Sequence, residues 1–430
     1  MSGKLSTTTD EAPTAQTRVP AYAWYALAVL TLVYVLNFLD RTLIYILLSP
    51  IKKEMAFSDF ELAVLGSTSF TIFYTLLGIP FGRMADRAVR KNMIAAGLAV
   101  WSLFSGLTGF ADGFWSIFFC RVMVGVGEAT LGPAALSLLS DYFPPRMRAT
   151  VQAIYSSGIA IGGGVAFFLG GWIGQSYGWR WAFYLLGFPG IILALLVFLL
   201  REEPRGRTES ATPRYSSRDW KILFQSVPLR YLFLGYALFG LAANNLGFWG
   251  TQFFLRVHSE WDLRSIGTLA GILSIAAGVP GTIFGGYVSD RFRHMGRGGR
   301  MFFSACAALF SVPLWIALLF SSNPVVLLIV TFLLLGLALI WLGPAAADVH
   351  EIAGPHLRGL GIGIYFFTVN IAAYLIGSPI IGVLNDQLGV SQNPSQMKYS
   401  LLICPLACAL SAVLLWLGSR SLEAKEKQES

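Results

Sequence analysis

Twelve apolar runs, each about 20 residues or longer and nearly free of charge, recur along this chain, and as helices each can cross about 30 Å of hydrocarbon. They lie near residues 22–48, 62–81, 93–111, 114–138, 150–173, 181–200, 231–255, 265–288, 301–320, 324–347, 359–384 and 399–419. Only 13% of the 430 residues are charged, against about 25% in an ordinary soluble domain, while 55% are hydrophobic. The expected fold class is an all-α polytopic membrane protein in a lipid bilayer.

Residues 1–20 are polar and Thr-rich, and the first apolar run is too long for a signal-peptide core, so no cleavable signal is expected and the segment reads as a disordered cytoplasmic tail. Cys120, Cys306, Cys404 and Cys408 all fall inside apolar runs, which points to packing and away from a disulfide framework or a metal site. The formal net charge of +8 is compatible with nucleic-acid binding, but the basic residues sit in short loops where the positive-inside rule explains them, and no nucleic-acid partner is expected. Arg83, Arg87, Arg90 and Lys91 lie between runs 2 and 3, and Arg291, Arg293, Arg297 and Arg300 between runs 8 and 9; the 3–4 and 9–10 connections carry no Lys or Arg. With the basic loops inside and an even number of spans, both termini are expected in the cytoplasm, in the plasma or inner membrane.

The longest connection, residues 201–228, is charged and Ser/Thr-rich and separates a first bundle (21–200) from a second (229–420), with a short tail at 421–430. "GRMADRAVRK" follows run 2 and "GYVSDRFR" follows run 8, so Gly-x-x-x-Asp-Arg occurs twice, 204 residues apart. Gly82 and Gly286 permit a tight turn or close helix approach. Asp86 and Asp290 can accept from helix N-terminal amides, and Arg87 and Arg291 can pair across a bundle interface as a reversible cytoplasmic gate. This doubled motif, with "RVMVGVG" in run 4 and the Gly-rich "GIAIGGGVAFFLGG" in run 5, resembles the major facilitator superfamily, whose two six-helix halves surround a central site. The chain departs from that pattern at Val89, where the family's first loop often has Gly. Within the superfamily "NFLDRTLI", "PFGRMADRAVRK", "RVMVGVGEAT" and "SPIIGVLND" are similar to the Spinster branch. That resemblance implies proton-linked movement of amphipathic lipids such as lysophospholipids or sphingosine phosphates.

Away from the ends of the runs, the sequence places only four ionisable acids or bases: Asp40 and Arg41 in run 1, Arg121 and Glu128 in run 4. A charge at mid-membrane costs about 2.5 to 3.5 kcal/mol on insertion scales, so these four are functional candidates, and their signs sum to zero. At helical rise, Asp40 and Arg121 both fall about 10 to 12 Å below the outer boundary, and Glu128 lies about two turns deeper on the face of Arg121. Charge balance favours Asp40 beside Arg121, with Arg41 free to approach Glu128 or an anionic substrate. All four histidines (His258, His294, His350, His356) lie in loops or at run ends, so a proton carrier within the membrane must be a carboxylate: Glu128 first, Asp40 second. A permanent ion-pair brace is the structural alternative.

"AANNLGFWG" puts Asn244 and Asn245 where run 7 is expected to break near a substrate path, and Tyr365, Phe366 and Asn370 in run 11 are further candidates to line a cavity. Asp348, His350, Glu351, His356 and Arg358 have metal-binding side chains among them but read as a solvated loop with gate contacts. No Gly-x-Ser-x-Gly, HExxH or GxxxxGK[ST] occurs, so neither enzyme chemistry nor an ATP-driven pump has a motif, and no cofactor is implied. The expectation is a monomeric, proton-coupled alternating-access transporter of an amphipathic lipid. A carrier of small organic anions and a non-transporting membrane sensor are the alternatives.

Overall fold

The computed structural model describes residues 19–85, 87–144, 147–203, 219–258 and 260–429. Among these there is no strand, and twelve helical spans run Ala21–Met55, Asp59–Gly78, Arg90–Phe110, Phe114–Tyr142, Thr150–Tyr177 and Trp179–Phe198, then Val227–Val257, Leu263–Met295, Gly299–Phe320, Pro324–Gly354, Gly359–Gln387 and Pro394–Ala424. With twelve crossings the two chain ends fall on one side, the terminal side; the other is the distal side. Asp86, residues 1–18 of the expected tail and residues 204–218 of the expected linker lie outside the described residues. A short helix, Asp219–Gln225, precedes span 7, and the last helix continues past residue 421 to Glu429.

Several spans outrun their apolar runs because a charge ends a hydropathy window, whereas a helix ends where its backbone partners change. Span 1 continues through Lys52, Lys53 and Glu54 and stops at Ala56, whose φ of 55° is left-handed and whose N–H donates to the Lys52 carbonyl. Ser58 then caps span 2: its hydroxyl accepts from the Glu61 N–H, and the Glu61 carboxylate accepts from the Ser58 N–H. Gly354, at φ 73°, kinks the chain after span 10 and lets that helix carry Asp348 inside.

Three spans contain π-helical turns: Val64–Thr68 in span 2, Leu246–Gly250 in span 7 and Ile371–Gly377 in span 11. The expected break after Asn245 is thus a widened turn. Two of the π turns meet, since the Ser67 hydroxyl donates to the Tyr374 carbonyl at 2.6 Å. Such turns free carbonyls for contacts outside their own helix.

Small residues set the distances between neighbours. A Cβ on Gly162 would lie 2.2 Å from the Val35 carbonyl oxygen, so spans 5 and 1 touch backbone to backbone. The other face of span 5 joins the halves: a Cβ on Gly271 of span 8 would stand 2.6 Å from the Gly164 carbonyl oxygen. Gly271→Ala is therefore expected to destabilise the protein by about 1 to 3 kcal/mol, read as a lowered melting temperature in detergent micelles. Gly363→Ala, where a Cβ meets nothing within 4 Å, should leave it unchanged.

Candidate functional site

The four membrane charges of spans 1 and 4 meet. Asp40 and Arg121 are 0% exposed and Glu128 is 1% exposed, whereas the Arg41 side chain keeps 12% exposure. Arg41 donates from Nη2 and Nε to one Glu128 oxygen, Oε2, at 2.9 and 3.3 Å. Its guanidinium lies 4.9, 4.6 and 4.7 Å from the ring centroids of Phe38, Phe70 and Tyr74. Glycines of "RVMVGVG" make room for this arrangement. A Cβ on Gly125 would strike the Phe70 carbonyl oxygen at 2.5 Å, and one on Gly127 the Gly97 carbonyl oxygen at 2.7 Å, so spans 2 and 3 press directly on span 4.

Asp40 leaves its helix about 100° from Arg41 and turns to span 3, where its Oδ1 accepts from the Ser105 hydroxyl at 2.7 Å. The neighbours are those that charge balance favours, Arg41 with Glu128 and Arg121 beside Asp40, but the second contact does not involve the carboxylate. Arg121 reaches the Asp40 backbone carbonyl, at 3.4 Å from Nη1, and not the carboxylate. Asp40 Oδ2, Glu128 Oε1 and Arg121 Nε and Nη2 are buried without a protein hydrogen-bond partner. Each acid therefore has one engaged oxygen and one without a protein partner, and Arg121 has donors to spare.

The candidates in the second half divide. Asn244 is half-buried and its Oδ1 accepts from the Tyr374 hydroxyl; Asn370 is also half-buried, and Phe366 is 49% exposed. Asn245 and Tyr365 are 0% exposed and do not line an open cavity. Asn245 donates to the Leu241 carbonyl and accepts from Ser378, while Tyr365 packs edge-on against Tyr236 and Trp341. Helical spacing alone does not distinguish a packed face from a lining one.

Every described hydrogen bond between the halves lies in the distal half of the bundle. Asp59, 0% exposed at the start of span 2, is held by Lys52 Nζ at 2.5 Å and by Arg256 Nη1, from span 7, at 2.7 and 2.9 Å. Asp386 at the end of span 11 accepts from the Asp59 and Phe60 N–H groups at 2.8 and 2.9 Å, an anion on a helix N-terminus. Gln252 of span 7 bridges to Ser49 and to the Tyr45 carbonyl of span 1. None of these residues except Asp386, within "SPIIGVLND", was marked by a motif, because they sit where apolar runs end.

On the terminal side the repeated glycines face away from neighbours: a Cβ at Gly82 or Gly286 meets nothing within 4 Å. Span 10 does approach the Gly286 backbone from another direction, since a Cβ on Gly343 would lie 3.6 Å from the Gly286 Cα. An open hollow of about 740 Å³ lies beside Arg83, Met84, Arg87 and Ala88. Asp290 pairs with Arg300 at 2.9 Å, and Arg291 donates to Tyr287 on its own helix at 2.5 Å, so neither contact crosses between the halves. The structure also corrects two expectations about Asp348. It is not in a solvated loop, and the second half does carry a membrane acid: Asp348 is 1% exposed within span 10. No metal-holding group of His, Cys, Asp and Glu occurs among the described residues; the side chains of His356 and Arg358 lie outside them.

A sequence profile of the Major Facilitator Superfamily matches residues 30–348 and 232–430. The chain is 27% identical over 404 residues to an MFS-type efflux pump of Mycolicibacterium smegmatis, covering 93% of each. It is 26% identical to Protein spinster homolog 1 of Homo sapiens, over 91% of this chain and 79% of the relative. The crystal structure of a bacterial homolog of the human lysosomal transporter Spinster, inward-facing and unoccupied, superposes with a TM-score of 0.83 at 24% identity, covering 94% of this chain and 98% of that one. Twelve spans in two sets of six, the doubled loop motif and these matches agree: the chain belongs to the major facilitator superfamily and is a Spinster-like membrane transporter.

Proposed function

We propose that this transporter carries an amphipathic lipid with an anionic head, of the lysophospholipid kind, by proton-coupled alternating access, with both termini in the cytoplasm. The carrying observation is Arg41, the least buried of the four charges, held by one oxygen of Glu128 inside an aromatic ring of Phe38, Phe70 and Tyr74. A phosphate head competing for Arg41 displaces Glu128, whose carboxylate then takes a proton; loss of that proton returns Arg41 to Glu128 and releases the head. Asp40, with one free oxygen and Arg121 beside it, is the second carrier in this scheme. The aromatic and aliphatic side chains of the second half, among them Phe366 and the half-buried Asn244 and Asn370, suit the tail and the glycerol region.

The distal latch at Asp59 and the repeated glycines facing open space on the terminal side favour a conformation open to the cytoplasm. In this reading Gly82, Asp86, Arg87, Gly286, Asp290 and Arg291 close the cytoplasmic gate in the opposite state. The test is uptake of oleoyl-lysophosphatidylglycerol into proteoliposomes. Arg41→Ala should raise the KM about ten- to a hundredfold, the loss of one or two hydrogen bonds to a charged group. Competition by glucuronate as strong as by the lysolipid would shift the assignment to small organic anions, and saturable binding without flux would make the protein a sensor.

A further inference from the structure

Outside the four-charge site, one buried acid has no assigned work. Asp348 lies in span 10 on the terminal side, 1% exposed, and its Oδ2 accepts no hydrogen bond. Facing it are Arg300 from span 9, Arg293 and Asp290 from span 8, Glu351 one turn along its own helix, and Tyr236 from span 7. The two arginines are already engaged. Arg300 binds Asp290 at 2.9 Å and Glu351 at 3.1 Å, and Arg293 binds Glu351 at 2.6 Å. Tyr236 donates its hydroxyl to Ser304. An ionised Asp348 would be a third carboxylate facing two guanidiniums that already have partners, in a place shielded from water. Burying an uncompensated charge is far more unfavourable than burying the neutral acid.

One of the two acids that engage Arg300 is Asp290, the acid of the repeated Gly-x-x-x-Asp-Arg element. If that element closes the terminal side, Asp290 must leave its present contacts to meet the first half. Arg300 is then free to turn toward Asp348.

We propose that Asp348 is a proton-binding site of the gate: it holds a proton while Arg300 is bound by Asp290 and Glu351, and releases it to terminal-side water when Asp290 swings away and Arg300 pairs with it. The inference rests on the alternating-access reading above, but not on the identity of the cargo or on the proton carried by Glu128. It makes the open terminal side the protonated state, so acid on that side favours the conformation seen here and alkali favours closure.

The experiment uses the full chain in liposomes, with the four native cysteines replaced and spin labels at Met84→Cys, on the helix Ser69–Ala85 that continues span 2, and Met295→Cys at the end of span 8, both exposed. Raising the pH from about 5.5 to about 8 should enlarge the short-distance population at least about threefold. Asp348→Asn, which resembles the neutral acid, should stay at the long distance throughout. A pH response unchanged in Asp348→Asn, or absent from the wild type, overturns the proposal. Should the Asn variant not fold, Asp348→Glu must retain the response and Arg300→Gln must lose it. Lysolipid flux on the same preparations separates the two ideas: flat distances with intact gradient-driven flux sink the Asp348 site alone, and absent flux sinks the transport reading.

Discussion

Glu128→Gln should transport the lysolipid at the same slow rate with or without an imposed pH gradient, whereas the wild type should be accelerated at least about tenfold by the gradient. The size follows from position. Glu128 is 1% exposed and gives one oxygen to Arg41, with the other unpartnered, so the side chain can alternate between an ion pair and a neutral acid. Gln keeps the shape and one acceptor but can do neither. It also leaves Arg41 without its counter-charge, and removing one partner of a buried pair costs about 3 to 5 kcal/mol, reduced here by the stacked rings and the partial exposure of Arg41. Exchange at equal pH on both sides should therefore survive. Equal acceleration of both proteins by the gradient would remove Glu128 from the coupling step, and Asp40→Asn is then the variant that should lose it.

The second large effect is expected at the distal latch. Asp59→Ala leaves Lys52 and Arg256 facing one another without the buried carboxylate that both contact, at a cost of about 3 to 5 kcal/mol to the closed distal side. In the alternating-access reading the latch opens in the opposite state, so the loss converts to a shift of about a hundredfold to several thousandfold toward the state open on the distal side. Labels at the distal ends of spans 2 and 11 should move apart in the variant. Asp386→Asn keeps one acceptor for the N-terminal amides of span 2 and should give a smaller shift, about tenfold. Wild-type distances in Asp59→Ala would show that the close backbone packing of spans 5 and 8, at Gly164 and Gly271, holds the distal side shut by itself.

The interior of the site was readable where the membrane makes charge conspicuous. Asp40, Arg41, Arg121 and Glu128 stand out because each opposes its surroundings, and helical rise put them at levels where they meet. At span ends charge is ordinary, so Asp59 and Arg256 carried no signal and Asp348 read as part of a solvated loop, although all three are buried or nearly so. Asn245 and Tyr365 show the converse: polar and aromatic residues on a plausible face, yet packed inward by Ser378 and by Tyr236 with Trp341.

What the sequence determined alone was periodic and additive: the number of spans, their halves, the doubled Gly-x-x-x-Asp-Arg, and the four charges that interrupt apolar runs 1 and 4. Those properties depend on each segment's transfer from water to lipid, one segment at a time. The tertiary structure decided the pairings. Whether Arg41 or Asp40 meets Glu128, whether Arg121 meets a carboxylate or a backbone carbonyl, and which side is latched depend on the rotation of one helix against another. A rotation of about 100° exchanges adjacent residues at the interface without altering the hydropathy of either span.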